Sequence, residues 1–202
     1  MRIFLDCSPR KIAEYTQRYG HAFGQLRTPL TNYAQAPGIT WAADNGFYTN
    51  PDAAAWIRWV ARFEDQVDDR PAWVAMPDIV GDAQRTLELF EYFGRRTNGL
   101  PRALVLQDGI GRVPIPWDQV TAVFIGGSDD FKVSREAYAA AKTARILGKQ
   151  IHVGRINTFA RCQNWLGLAD TLDGSGISRY DHMLEDVLSK INGEHPQGAM
   201  AL

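Results

Sequence analysis

Short apolar runs recur along the chain, each closed by Gly, Pro or Asp, with longer mixed stretches between them. The runs are Arg2–Asp6, Ile39–Ala43, Ala72–Met76, Ala103–Gln107, Ala122–Ile125, Gln150–Val153 and Leu168–Leu172. Runs of this length suit parallel strands buried on both faces. The stretches between them carry helix signals. Asn50 before Pro51 predicts an N-cap and a first helical residue, and Trp56, Trp59, Val60 and Phe63 then follow at helical spacing. Asp82 predicts a cap for a helix whose inner face holds Thr86, Leu87, Phe90 and Phe93. Ser134 predicts another, which stops at Gly148, and Asn157 or Thr158 caps one that stops at Gly167.

Repeated strand–helix units predict an α/β protein built as a TIM-like (β/α) barrel. Seven strands are legible, one short of a full ring. The segment Thr28–Tyr33 is a candidate for the eighth; without it the barrel is compact and incomplete. A doubly wound open sheet is the alternative, but its glycine-rich first turn has no counterpart after Asp6. One domain is expected over residues 1–192, with a frayed tail at 193–202.

Composition narrows the class. With 202 residues, 45% of them hydrophobic and 22% charged, the chain reads as one globular domain with a sizeable core. No stretch approaches the about 18 apolar residues of a membrane span, and the first ten residues are too weakly apolar for a secretory signal. No membrane association and a cytoplasmic location are therefore expected. Cys7 and Cys162 are too few for a disulfide framework or a zinc site. The net charge of −1 lacks the basic excess of many nucleic-acid binders, though a local basic patch is compatible with it.

In a parallel β/α barrel the chemistry sits at the C-terminal strand ends. Those ends carry Asp44, Asp78, Gln107, Gly126–Gly127, Gly154 and Asp173. Three carboxylates in one cleft repel each other and raise one another's pKa values unless something cationic or proton-donating lies between them. An oxocarbenium-like sugar is one such partner and a metal ion is another. Taken singly, Asp44 fits turn chemistry, Asp82 a helix cap and Gly126–Gly127 a tight turn. Their shared placement after apolar strands marks a site, while the reaction stays open. No histidine cluster accompanies the carboxylates, which disfavours a metal-dependent hydrolase, and no cofactor is expected. His152, inside a strand, reads as a core histidine; Cys162, Trp56 and Trp59 read as packing.

The ordered motifs from about Ile39 to Tyr180 resemble the tRNA-guanine transglycosylase superfamily. They look closest to its small phage-borne DpdA branch, which places 7-deazaguanines in DNA. Asp44-Asn45-Gly46-Phe47-Tyr48 resembles the family's DSGG[FY]Q motif, with Phe47 and Thr49 departing from it. By that match Asp44 is the general acid/base or sugar-orienting group, and Tyr48 stacks on the base. Met76-Pro77-Asp78 resembles the segment whose aspartate reads the guanine edge. Val105–Gly109 resembles IVQGG, making Gln107 a donor to the base carbonyl; Ile125-Gly126-Gly127 resembles the GGL turn, and Val153-Gly154 the pocket-lining MGVG. Asp170–Arg179 resembles DxFDCxxPTR, which makes Asp173 the nucleophile and keeps the arginine as Arg179, although the cysteine, proline and threonine are absent.

The resemblance implies exchange of guanine for a free 7-deazaguanine base, such as 7-cyano-7-deazaguanine, through a covalent bond to Asp173. The chain has no C-terminal Cys/His zinc cluster and is shorter than the tRNA enzymes, which favours DNA as the polymer, with tRNA as the alternative. Arg112, Lys132, Arg155, Arg161 and Arg179, in or just after the mouth loops, are expected to contact the nucleic-acid backbone. The rival readings are a hydrolase that removes bases without replacing them and a non-catalytic barrel that binds a nucleobase or a protein.

Overall fold

The computed structural model describes residues 1–31, 33–64, 68–97 and 99–193. Eight parallel strands close a barrel in chain order. They are β1 (Arg2–Leu5), β2 (Gly24–Arg27), β3 (Trp41–Ala43), β4 (Val74–Ala75), β5 (Arg102–Leu106), β6 (Ala122–Ile125), β7 (Gln150–Val153) and β8 (Thr171–Asp173). The ring is sealed where β1 pairs with β8, Phe4 opposite Asp173. Around it lie α1 (Pro9–Tyr19), α2 (Ala53–Val60), α3 (Ala83–Gly94), α4 (Arg135–Ile146), α5 (Phe159–Gln163), α6 (Ser175–Arg179) and α7 (Asp181–Ile191). None of the described helices is long and apolar enough to cross a membrane.

The expected TIM-like barrel is therefore present, and it is complete. The missing strand is Gly24–Arg27, not Thr28–Tyr33, whose described residues form turn and coil. The sequence GQLR hides its strand character because Gln25 is polar yet fully buried. Its side chain is satisfied by loops: Nε2 donates to the carbonyls of Cys7 (3.2 Å) and Ala34 (2.8 Å), and Oε1 accepts from Ala36 N–H (2.8 Å). A buried amide with all these partners costs little. Gly24 leaves room inside the barrel, since a Cβ there would lie 2.1 Å from the Phe4 ring.

Two further expectations shift. Asp52, rather than Asn50, caps α2, its Oδ1 accepting from Ala55 N–H at 2.9 Å. The last strand begins at Thr171; Leu168 and Ala169 instead donate their N–H groups to the Trp165 carbonyl in the turn before it. Asp82 and Ser134 cap α3 and α4 as read, and Thr158 caps α5. Residues 194–202 of the expected tail lie outside the described residues.

The period-two pattern of the strands divides the core into two layers. Ile3 and Leu5 face the helices, with Trp56, Trp59, Val60, Phe63, Phe90 and Cys162, all buried as expected. Phe4, Leu26, Ala42, Trp73, Ala75, Ala103, Val105 and Ala122 fill the barrel. Many of the inward residues are alanine, so a few large rings do most of the filling. Phe4, Trp73 and Phe124 surround His152, their ring centroids 6.0, 4.6 and 4.6 Å from its own. This aromatic plug forms the floor beneath the C-terminal mouth.

Candidate active site

A cavity of about 450 Å³ opens at the C-terminal ends of the strands. It brings together Asp44, Asp78, Gln107, Gly126, Gly127, Tyr48, Arg155, Asp173 and Arg179 from the expected set. Asp6, at the end of β1, also lines it and was not among the expected site residues. It sits directly after an apolar strand, the same signal that marked the other three carboxylates.

Asp173, the last residue of β8, is anchored from one side. His152 Nε2 lies 3.0 Å from its Oδ1, and Arg155 N–H donates to the same oxygen at 3.3 Å. A carboxylate only accepts, so His152 carries its proton on Nε2, and its Nδ1 takes a hydrogen bond from the Thr171 hydroxyl at 2.8 Å when the ring is neutral. Among the described residues no hydrogen bond reaches Asp173 Oδ2. His152 is thus buried and satisfied, as expected of a core histidine, and it also touches the site.

Asp44 follows β3 at the base of the cavity. Burial pushes its carboxyl up to about 7, and the charges of Asp173, Asp78 and Asp6 add to the push against the Asn45 N–H. Asp78, 7% exposed, is raised to about 6 by burial, while hydrogen bonds from Asn45 and Gln107 and the Arg155 charge oppose the shift. Asn45 Nδ2 donates to Asp78 Oδ1 at 2.8 Å and to the Met76 carbonyl at 2.7 Å, and its Oδ1 accepts from Phe47 N–H at 2.8 Å. Sequence reading passed over Asn45 because its partners lie on another strand's loop.

Gln107 is placed differently from a free donor. Its Nε2 donates to Asp78 Oδ2 at 2.6 Å, and its Oε1 accepts from Gly81 N–H at 2.9 Å. Its first role is to hold Asp78; the second hydrogen on Nε2 is what remains for a ligand. Gly126 permits this packing, since a Cβ there would meet Val105 Cγ1 at 2.7 Å and Gln107 Nε2 at 3.0 Å. Gly127 has φ 68°, a conformation only glycine adopts cheaply.

Tyr48 stands at the rim, 65% exposed, with the Arg155 guanidinium 4.2 Å from its ring centroid. Arg155 Nη2 also donates to the Gly127 carbonyl, so this side chain ties the β6 and β7 loops. Gly154 does not line the cavity; a Cβ there would press into Phe124 at 2.5 Å. Asp6 accepts from Thr31 Oγ1 at 2.7 Å; burial raises its carboxyl, and Asp173 adds to the shift against Thr31 and Arg179.

The expected basic contacts separate into groups. Arg155 and Arg179 line the cavity. Arg112 is exposed but away from the lining, and Arg161 is paired with Asp129 at 2.6 Å outside it. Lys132 is corrected: it is 4% exposed, its Nζ donating to the Gly154 carbonyl at 2.6 Å, so it offers no ammonium to a nucleic-acid backbone. Among the described residues no group of three or more His, Cys, Asp and Glu is arranged to hold a metal ion. Neither a protein-family model nor a curated protein matches the chain.

Proposed function

We propose that the protein exchanges a purine base in DNA, replacing guanine with a 7-deazaguanine such as 7-cyano-7-deazaguanine. One observation carries the reading: Asp173 is anchored through Oδ1 alone, within a cavity where Asp44 has a pKa near 7. A carboxylate with one fixed oxygen and one open oxygen suits a nucleophile, and an acid poised near neutrality suits proton transfer. The choice of DNA over tRNA rests on the resemblance to the DpdA branch.

In the first half-reaction Asp173 Oδ2 bonds to C1′ while the C1′–N9 bond to guanine breaks. Protonated Asp44 gives the departing base its proton. In the second half the incoming base loses its N9 proton to Asp44, N9 bonds to C1′, and Asp173 leaves as a carboxylate. The Asp78 oxygens accept from N1–H and the exocyclic amine of either base, and Tyr48 stacks at the rim. A target in a duplex must leave its stack, at a cost of a few kcal/mol; Arg179 is exposed beside the cavity to meet the backbone.

The test is incubation with guanine-containing DNA and 7-cyano-7-deazaguanine, followed by digestion and mass spectrometry of the nucleosides. Tubes with tRNA and with Asp173→Asn run beside it. Modified deoxyguanosine from wild type alone is expected. Modification of tRNA alone keeps the chemistry and changes the polymer. Abasic sites without insertion would replace exchange by hydrolysis, and no change in either polymer would sink the enzyme reading.

A further inference from the structure

A lysine is almost never fully buried without a strong partner. Lys132 lies on the single turn Phe131–Val133 after β6, pointing behind the β7 loop. The charged groups facing it are Arg155 in the β7 loop, Asp173 on β8, Asp129 in its own loop and Arg161 on α5. Its one hydrogen bond goes to the Gly154 carbonyl. That carbonyl shares a peptide unit with the Arg155 N–H, which donates to Asp173 Oδ1. In a trans peptide the C=O and N–H point in opposite directions. Lys132 and Asp173 therefore sit on opposite ends of one peptide dipole, the cation at its oxygen and the carboxylate at its hydrogen.

Such a chain of hydrogen bonds is cooperative: a cation on the carbonyl oxygen polarises the amide and strengthens its N–H as a donor. The peptide is also held in an unfavourable shape. Arg155 has φ 61°, in the left-handed region that a residue with a Cβ adopts only at a cost. Two contacts beyond Asp173 keep it there, the guanidinium over Tyr48 and the bond to the Gly127 carbonyl. Among the described residues Lys132 is the only hydrogen-bond donor to the Gly154 carbonyl.

We infer that Lys132 is a positioning residue that acts through the Gly154–Arg155 peptide to hold Asp173 and to stabilise its carboxylate. The inference rests on the exchange reading for its consequence in catalysis. Asp173 regains its negative charge only when the incoming base displaces it, so the second half-reaction is the one that Lys132 assists most. Burial lowers the Lys132 ammonium to about 8, with Arg155 and Arg161 pushing the same way and Asp173 and Asp129 opposing. The link therefore weakens as pH rises through that value.

Lys132→Met keeps the bulk of the side chain up to the ε position and removes the ammonium. In base exchange kcat falls about 10- to 100-fold, as for loss of a charge-assisted hydrogen bond, while KM for the incoming base stays within about twofold. A covalent DNA–protein adduct accumulates on denaturing gels, because release from Asp173 has slowed. The Arg155 amide is read separately by nitrogen–proton NMR without substrate. Its proton moves upfield in the variant, and in wild type it follows the titration of Lys132, a measurement that needs no mutant to fold. An amide that ignores both Lys132→Met and the titration overturns the inference, whatever happens to kcat. An amide that responds while kcat is unchanged overturns the catalytic part. An amide that responds in a protein with no exchange activity supports the link and rejects the exchange reading instead.

Discussion

Replacing His152 with phenylalanine removes two hydrogen bonds and little else. The new ring still fits among Phe4, Trp73 and Phe124, the neighbours that enclose the imidazole. Thr171 loses the partner of its hydroxyl at 2.8 Å, and Asp173 Oδ1 loses a donor at 3.0 Å. Thr171 is only partly buried and its hydroxyl can turn elsewhere, so its loss is the smaller. The bond to a carboxylate contributes about 1.5–3 kcal/mol, and the Arg155 N–H still holds the same oxygen. Stability should fall by about 2 kcal/mol, read as a lower midpoint in urea with an unchanged slope. The activity loss should be larger than stability alone implies, because a small misplacement of a reacting group costs up to about 100-fold in rate. His152→Gln, which keeps a donor, should recover part of that rate. Equal stability loss in both variants with kcat within about twofold of wild type would show that His152 only packs the barrel.

Three other outcomes are expected. The raised Asp44 carboxyl means that the folded chain binds more protons than the unfolded chain between about pH 4 and pH 7, so its charge lowers stability through that window and above it. Asp44→Asn should therefore raise stability at pH 8 by up to about 4 kcal/mol, read as a higher urea midpoint, leave it nearly unchanged at pH 4, and abolish exchange; equal midpoint shifts at both pH values would refute the reasoning. Gly126→Ala puts a methyl 2.7 Å from Val105 Cγ1 and 3.0 Å from Gln107 Nε2, so Val105 must turn aside and Gln107 must give by a few tenths of an ångström, which loosens its bond to Asp78; KM for the incoming base should rise, by up to about tenfold if that charge-assisted bond is lost, and an unchanged KM would show that Gln107 does not hold Asp78 in the working state. Arg179→Ala should weaken DNA binding and reduce the slope of log Kd against log salt by about one, as for one lost phosphate contact; an unchanged slope would remove Arg179 from the interface.

The carboxylates of the site were readable from sequence because barrel geometry sends every strand end to one mouth, so position after an apolar run sufficed for Asp44, Asp78 and Asp173. Asp6 carries the same signal without having been singled out; the rest of what stayed hidden depends on contacts between strands. Gln25 becomes acceptable in β2 only through carbonyls and an N–H from residues 7, 34 and 36. The reach of His152 to Asp173 follows from the β7–β8 register, in which His152 faces Thr171 across the ladder. Lys132 looked like a surface cation because its loop is polar; its burial is set by the Gly154 carbonyl, 22 residues further on.

The seam between β1 and β8 bears on how the protein assembles. Asp6 and Asp173 belong to strands joined by Arg2↔Thr171, Ile3↔Leu172 and Phe4↔Asp173, pairings that span most of the chain. Contacts so distant in sequence are entropically the slowest to form. During synthesis β1 emerges well before its closing partner and waits until the chain as far as Asp173 has left the ribosome. No shorter nascent species can carry Asp173 beside Asp44 and Asp78. Asp173 arrives with the strand that completes the barrel, so the cavity gains its last carboxylate in the same step that closes the ring.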